Sequence, residues 1–84
     1  MKGQQVVVRA FGGEALIRRV WSADDVAVYI TDDKQLGLLL AGKEAIQPIG
    51  IHRRDVFKFR SEKVGELVSG TVAWSEMELW DGTD

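Results

Sequence analysis

Ala15-Leu16-Ile17-Arg18-Arg19-Val20-Trp21-Ser22-Ala23-Asp24-Asp25-Val26-Ala27-Val28-Tyr29-Ile30-Thr31 decides the fold class. In its second half Val26, Val28 and Ile30 fall on one side and Ala27, Tyr29 and Thr31 on the other, the period of a half-buried strand. Ala15 to Trp21 alternates too, with Leu16, Arg18 and Val20 opposed to Ile17, Arg19 and Trp21. Between them Ser22 to Asp25 is polar and turn-prone, because Asp and Ser side chains bond their own backbone. Two alternating runs across a short polar turn make a hairpin. Upstream, Gln5 to Phe11 is a third strand with Val6, Val8 and Ala10 on one face. Gly12-Gly13 joins it to the next, since glycine takes positive φ without steric penalty. The sequence therefore predicts an antiparallel meander, with Val28 and Ile30 in its core.

Downstream the pattern changes. Asp32-Asp33-Lys34-Gln35 precedes Leu36, Leu39 and Leu40 at helical spacing, with Asp32 as cap, Gln35 reaching back as in a capping box, and Gly42 as stop. This predicts a short helix at 33–41, although Leu36, Leu38 and Leu40 would also alternate in a strand. Ile49 to His52 is extended, Arg53-Arg54 marks a turn, and Asp55 to Phe59 alternates again. Ser61 to Ser69 suits one or two helical turns, with Ser61 as cap, Val64, Leu67 and Val68 on one face and Gly70 as stop. Thr71 to Trp80 fits neither strand nor helix cleanly, and both readings stay open.

Composition narrows the functional classes. The chain has 84 residues, with 11 basic and 13 acidic side chains, a net charge of −2, one His and no Cys. That is one small domain. Without Cys there is no disulfide framework, thiol nucleophile or Cys-based metal site. The acidic balance argues against a protein that coats nucleic acid. No apolar run approaches the ~20 residues needed to span a bilayer, and the start lacks a signal-peptide core, so the expected setting is cytoplasmic, away from membranes. Chains this short bury only about 60% of their unfolded surface, so the fold needs either a dense core or a partner chain.

Three strands, an excursion, then two more strands is the plan of a small five-stranded barrel. The stretch Ile49-Gly50-Ile51-His52-Arg53-Arg54-Asp55-Val56-Phe57 resembles the end of an SH3-like barrel. There, a strand ending in Gly and an aliphatic residue meets a single turn, then a short last strand opening with Val. The resemblance spans residues 5–60. It implies a mainly β fold: a five-stranded antiparallel SH3-like barrel over residues 1–60, with the helix at 33–41 inserted and residues 61–84 as a C-terminal extension. It does not carry over a polyproline groove. Val8-Arg9-Ala10-Phe11-Gly12 stands where peptide-binding members have an Ala-Leu-Tyr-Asp-Tyr-like run. Tyr29 is alone where they have paired Trp, and His52 stands where they have Pro. One enzyme on this frame, the plasmid-type dihydrofolate reductase, lines its ligand with a run that has no counterpart in the last strands here.

Three groups of residues are candidate sites. His52, Arg53, Arg54, Lys58 and Arg60 form a basic strip interleaved with Phe57 and Phe59, able to attract phosphates if it faces solvent; alternation sends the two Phe inward and Lys58 out. Trp74, Met77 and Trp80, set among the acids of the C-terminal run, are candidates for an interaction surface, against a partner or a second copy in a homodimer, or for closing the barrel's open end. Asp24-Asp25 and Asp32-Asp33 read as turn and capping residues, because the strand between them holds the pairs ~20 Å apart at about 3.3 Å per residue, too far to share a cation. A lone His52 with no nucleophile motif gives no catalytic residues, metal or cofactor. The leading expectation is a non-catalytic protein-interaction module; the alternative is a nucleic-acid-associated protein using the strip at 52–63.

Overall fold

Five β-branched or alternating runs become five strands in the computed structural model, which describes residues 2–82; Met1, Thr83 and Asp84, the last acid of the C-terminal run, lie outside them. The strands are β1 (Gln5–Arg9), β2 (Ala15–Ala23), β3 (Ala27–Thr31), β4 (Ile49–His52) and β5 (Val56–Lys58). Helix α1 (Asp33–Leu40) joins β3 to β4, a 3-10 turn (Arg53–Asp55) joins β4 to β5, and α2 (Ser61–Ser69) follows β5. All pairings are antiparallel, in the order β4-β3-β2-β1-β5. β4 and β5 are thus the two edges, and backbone pairing does not close the sheet into a barrel.

β2 bends the sheet. Its first half pairs with β1 through Ala15 to Arg19, its second with β3. The register slips between Val20 and Ser22, leaving Trp21 as an extra residue. Such a bulge twists the strand and reverses which face the later side chains occupy.

Both faces of the sheet are covered where β1 and β5 lie. Val6 and Val8 of β1 join Val20, Val28, Ile30, Val56 and Trp80 in one core. Val7, between them, joins Phe57, Val64 and Met77 in a second core on the opposite face. This is why Val6, Val7 and Val8 are all buried, where a sheet with one wet face would alternate. The chain after residue 60 supplies both cores. Val64 and Leu67 of α2, with Val72 and Trp74, cover the second; Trp80 then crosses into the first.

Local chemistry explains the turns and corrects several details. Gly13 has φ 82° in the β1–β2 turn, as a glycine turn requires. Asp32 caps α1, its carboxylate accepting from Gln35 N at 2.8 Å. The capping box does not form, because Gln35 Oε1 accepts from Ile46 N instead. Ser61 is the first residue of α2 and Arg60 its cap; Gly70 stops the helix at φ 85°. Val68 is exposed, off the packed face. Val26 is exposed too, because it sits in the Asp24-capped turn before β3. Residues 71–80 are neither strand nor α-helix but a 3-10 turn (Trp74–Glu76) followed by a single bridge from Leu79 to Phe57. No helix among the described residues is long and apolar enough to cross a membrane.

Candidate ligand cleft

The two edges of the sheet are treated differently. Along β5 the C-terminal segment acts as a strand substitute: Lys58 N donates to Glu78 O at 2.8 Å and Trp80 N to Val56 O at 3.0 Å. Along β4 no such cover exists among the described residues. Beside β4 the inner face of the sheet opens into a cleft of about 730 Å³, walled on the other side by the β1–β2 hairpin. Val8, Leu16, Ile30 and Ile51 form its apolar floor. Phe11, fully exposed on the hairpin, and Ile49, mostly exposed on β4, stand at its rim.

Arg9 organises one end. Its guanidinium holds the Asp55 carboxylate at 2.9 Å and donates to the Arg54 carbonyl at 3.2 Å. The same group lies 5.3 Å from the Phe57 ring centre and 5.5 Å from that of Trp74, a cation–π arrangement that ties the 3-10 turn to the second core. Arg18 lines the cleft too, and its guanidinium donates to the Ile17 carbonyl and to no carboxylate within 4 Å among the described residues.

The basic strip is not brought together. Lys58 does not point out: it sits opposite Val6, on the face of Val56, with a side chain 11% exposed and clasped by Glu78 at 3.0 Å and Asp81 at 3.7 Å. Arg53 donates to the Asp24 carbonyl at 2.7 Å and lies 5.6 Å from the Trp80 ring centre. His52, Arg54 and Arg60 stay exposed, and Arg60 donates to its neighbour's carbonyl. His52 Nδ1 accepts from Arg54 N at 3.1 Å, which shapes the turn.

Met77 and Trp80 pack inside the chain's own cores, and Trp74 lies partly exposed beside them. Met77 is 8% exposed and Trp80 3%, each inside one of the two cores. Trp74 is half-buried, its ring 5.1 Å from Phe57 and its indole N–H donating to the Gly13 carbonyl. These side chains close the chain on itself. The acidic pairs serve as turn and capping groups: Asp24 accepts from Val26 N and Ala27 N, Asp32 caps α1, and Asp33 pairs with Arg19 at 2.8 Å. Those two amide bonds, Ala27 first, hold the Asp24 carboxyl below the ordinary 3.8.

Sequence reasoning missed the cleft because its walls come from residues about forty apart in the chain. Phe11 and Ile49 looked like strand ends, and Arg9 carried no local signal. Comparison with protein-family models, with curated proteins and with solved structures found no match.

Proposed function

We propose that this chain is a non-catalytic protein-interaction module on an SH3-like frame, receiving its partner in the cleft between the β1–β2 hairpin and β4. The frame is supported by the strand order, the bulged β2 shared between two halves of the sheet, and the 3-10 turn before a short last strand. The observation that carries the function is the cleft itself: an apolar floor, open to solvent, with Phe11 and Ile49 exposed at its rim. Clustered exposed apolar groups beside a concave floor mark a binding surface, whereas single ones are ordinary. Val68, also apolar and exposed, lines a separate hollow with Leu67 and Trp74 and not the cleft, and serves as the control.

The test places a photo-crosslinking phenylalanine analogue at Phe11, at Ile49 or at Val68 and irradiates the protein in lysate of the cells that make it. Discrete adducts from positions 11 and 49, with none from 68, are the expected result. Equal labelling from all three positions, or none from 11 and 49, overturns the reading.

A further inference from the structure

β4 has a free backbone edge. Arg53 N donates to Val26 O at 3.0 Å, one step beyond the β3–β4 ladder. In antiparallel pairing the residues that bond the neighbour alternate with those that turn away. Ile51, opposite Val28, and Ile49, opposite Ile30, therefore bond β3, while Gly50 turns its N–H and C=O outward and His52 its N–H; the His52 carbonyl accepts the first bond of the 3-10 turn that His52 caps. No described residue meets the Gly50 groups or the His52 N–H. An unpaired edge of this kind is a template for another strand.

A trough runs beside that edge. The 730 Å³ cleft shares Arg18, Ile30 and Ile49 with a second hollow of about 220 Å³ that continues toward Ile46. An elongated trough along one strand suits an extended chain, with every second side chain turned onto the apolar floor. Its lining holds the cations Arg9 and Arg18 and the carboxylates Asp55 and Asp32. Arg18 has no carboxylate partner among the described residues, and the side chain of Arg54, next to the edge, is exposed. Of the carboxylates that line it, Asp55 holds Arg9 and Asp32 caps α1.

We propose that β4 receives an extended acidic peptide as an added strand, its apolar side chains in the cleft and its carboxylates toward Arg18 and Arg54. This deepens the interaction-module reading and rests on it. A second copy fits less well. Its β5 edge is already covered by Glu78 to Trp80, so strand β4 of one copy cannot extend the sheet of another there. Pairing β4 with β4 would set His52 and the following Arg53 and Arg54 of one copy near the same basic stretch of the other.

His52 provides a selective probe of the edge. Its φ of −59° is the value a proline ring imposes, so His52→Pro removes the outward N–H while fitting the backbone. His52→Ala removes the imidazole and keeps the N–H. The ligand probe is a fluorescent octapeptide alternating aspartate and valine. Its controls are the lysine–valine counterpart and the acidic peptide N-methylated at alternate residues. The full chain is titrated by fluorescence anisotropy. The acidic peptide is expected to bind, and to weaken at least about ten-fold with His52→Pro, as loss of a hydrogen bond with its partner left unmade implies. It should weaken less than about three-fold with His52→Ala, and Arg18→Gln should flatten the salt dependence of its binding. The lysine and N-methylated peptides should bind at least about ten-fold more weakly, since one reverses the charge match and the other blocks the backbone bonds. Should His52→Pro not fold, the N-methylated peptide alone decides. Equal binding of the N-methylated and plain acidic peptides overturns strand addition and leaves the cleft as a site. Absence of binding by the acidic peptide, or self-association abolished by His52→Pro, overturns the proposal as well. The crosslinking at positions 11 and 49 then judges the module reading independently.

Discussion

Arg53 and Arg54 are neighbours in the chain with different roles. Arg53 is half-buried, bonded to the Asp24 carbonyl and stacked near Trp80, whereas Arg54 is exposed. Arg53→Ala should therefore lower stability by about 1–2 kcal/mol, from one hydrogen bond and one cation–π contact. Arg54→Ala should change it by under about 0.5 kcal/mol. Equal chemical-denaturation midpoints for the two variants would contradict this. Trp80 is the largest side chain of the first core, and Trp80→Ala should cost about 3–5 kcal/mol by transfer and cavity terms. Asp24 supplies a pH test. The Ala27 and Val26 amides depress its carboxyl pKa in the fold below the ordinary 3.8. A depressed carboxylate stabilises the fold above its unfolded pKa, and that contribution is lost as pH falls through the folded value. Resolved by NMR titration, Asp24 should titrate below 3.8, and the stability deficit of Asp24→Ala at neutral pH should narrow on acidification. An unshifted midpoint would mean the turn does not hold its carboxylate. Single residues were partly legible in the sequence: Val28 and Ile30 are buried as their alternation predicts. Lys58 was not legible, because the acids that fold over it lie twenty and more residues later.

At the scale of elements, α2 and its stop show how local signals work. Gly70 takes φ 85° after the last turn, and its N–H and that of Thr71 reach back to the final carbonyls. Gly70→Ala should cost about 1 kcal/mol, because a side chain disfavours the left-handed region; no change in midpoint would show that the helix ends otherwise. β1, β2, β3 and α1 were readable because period 2, period 3.6 and caps are properties of adjacent residues. The segment 71–80 was not. Its 3-10 turn breaks any period, and its later residues are extended because β5 needs a partner, which is a property of a distant edge. Trp21 likewise sits on an even run of alternation, and only the pairing of β2 with two different strands makes it a bulge.

For the whole molecule, the difficulty of size is met within one chain. One sheet is covered on both faces, and the last residues belong to both cores. Deleting residues 71–84 removes Trp74, Met77 and Trp80 together, so the truncated chain should lose its cooperative unfolding transition. A truncated chain that unfolds as sharply as the full one would make the segment a dispensable tail. The plan of five antiparallel strands was legible from the alternation and the resemblance. The cleft was not, since it exists where the sheet curls without closing and brings Phe11 opposite Ile49. The central claim is that the chain covers its β5 edge and leaves its β4 edge open. Residue-resolved amide hydrogen exchange on the free protein tests it most directly. The account predicts slow exchange at Lys58 and Trp80, whose N–H groups bond Glu78 and Val56, and exchange near the unprotected rate at Gly50 and His52. Protection at Gly50 and His52, or fast exchange at Lys58 and Trp80, would contradict it.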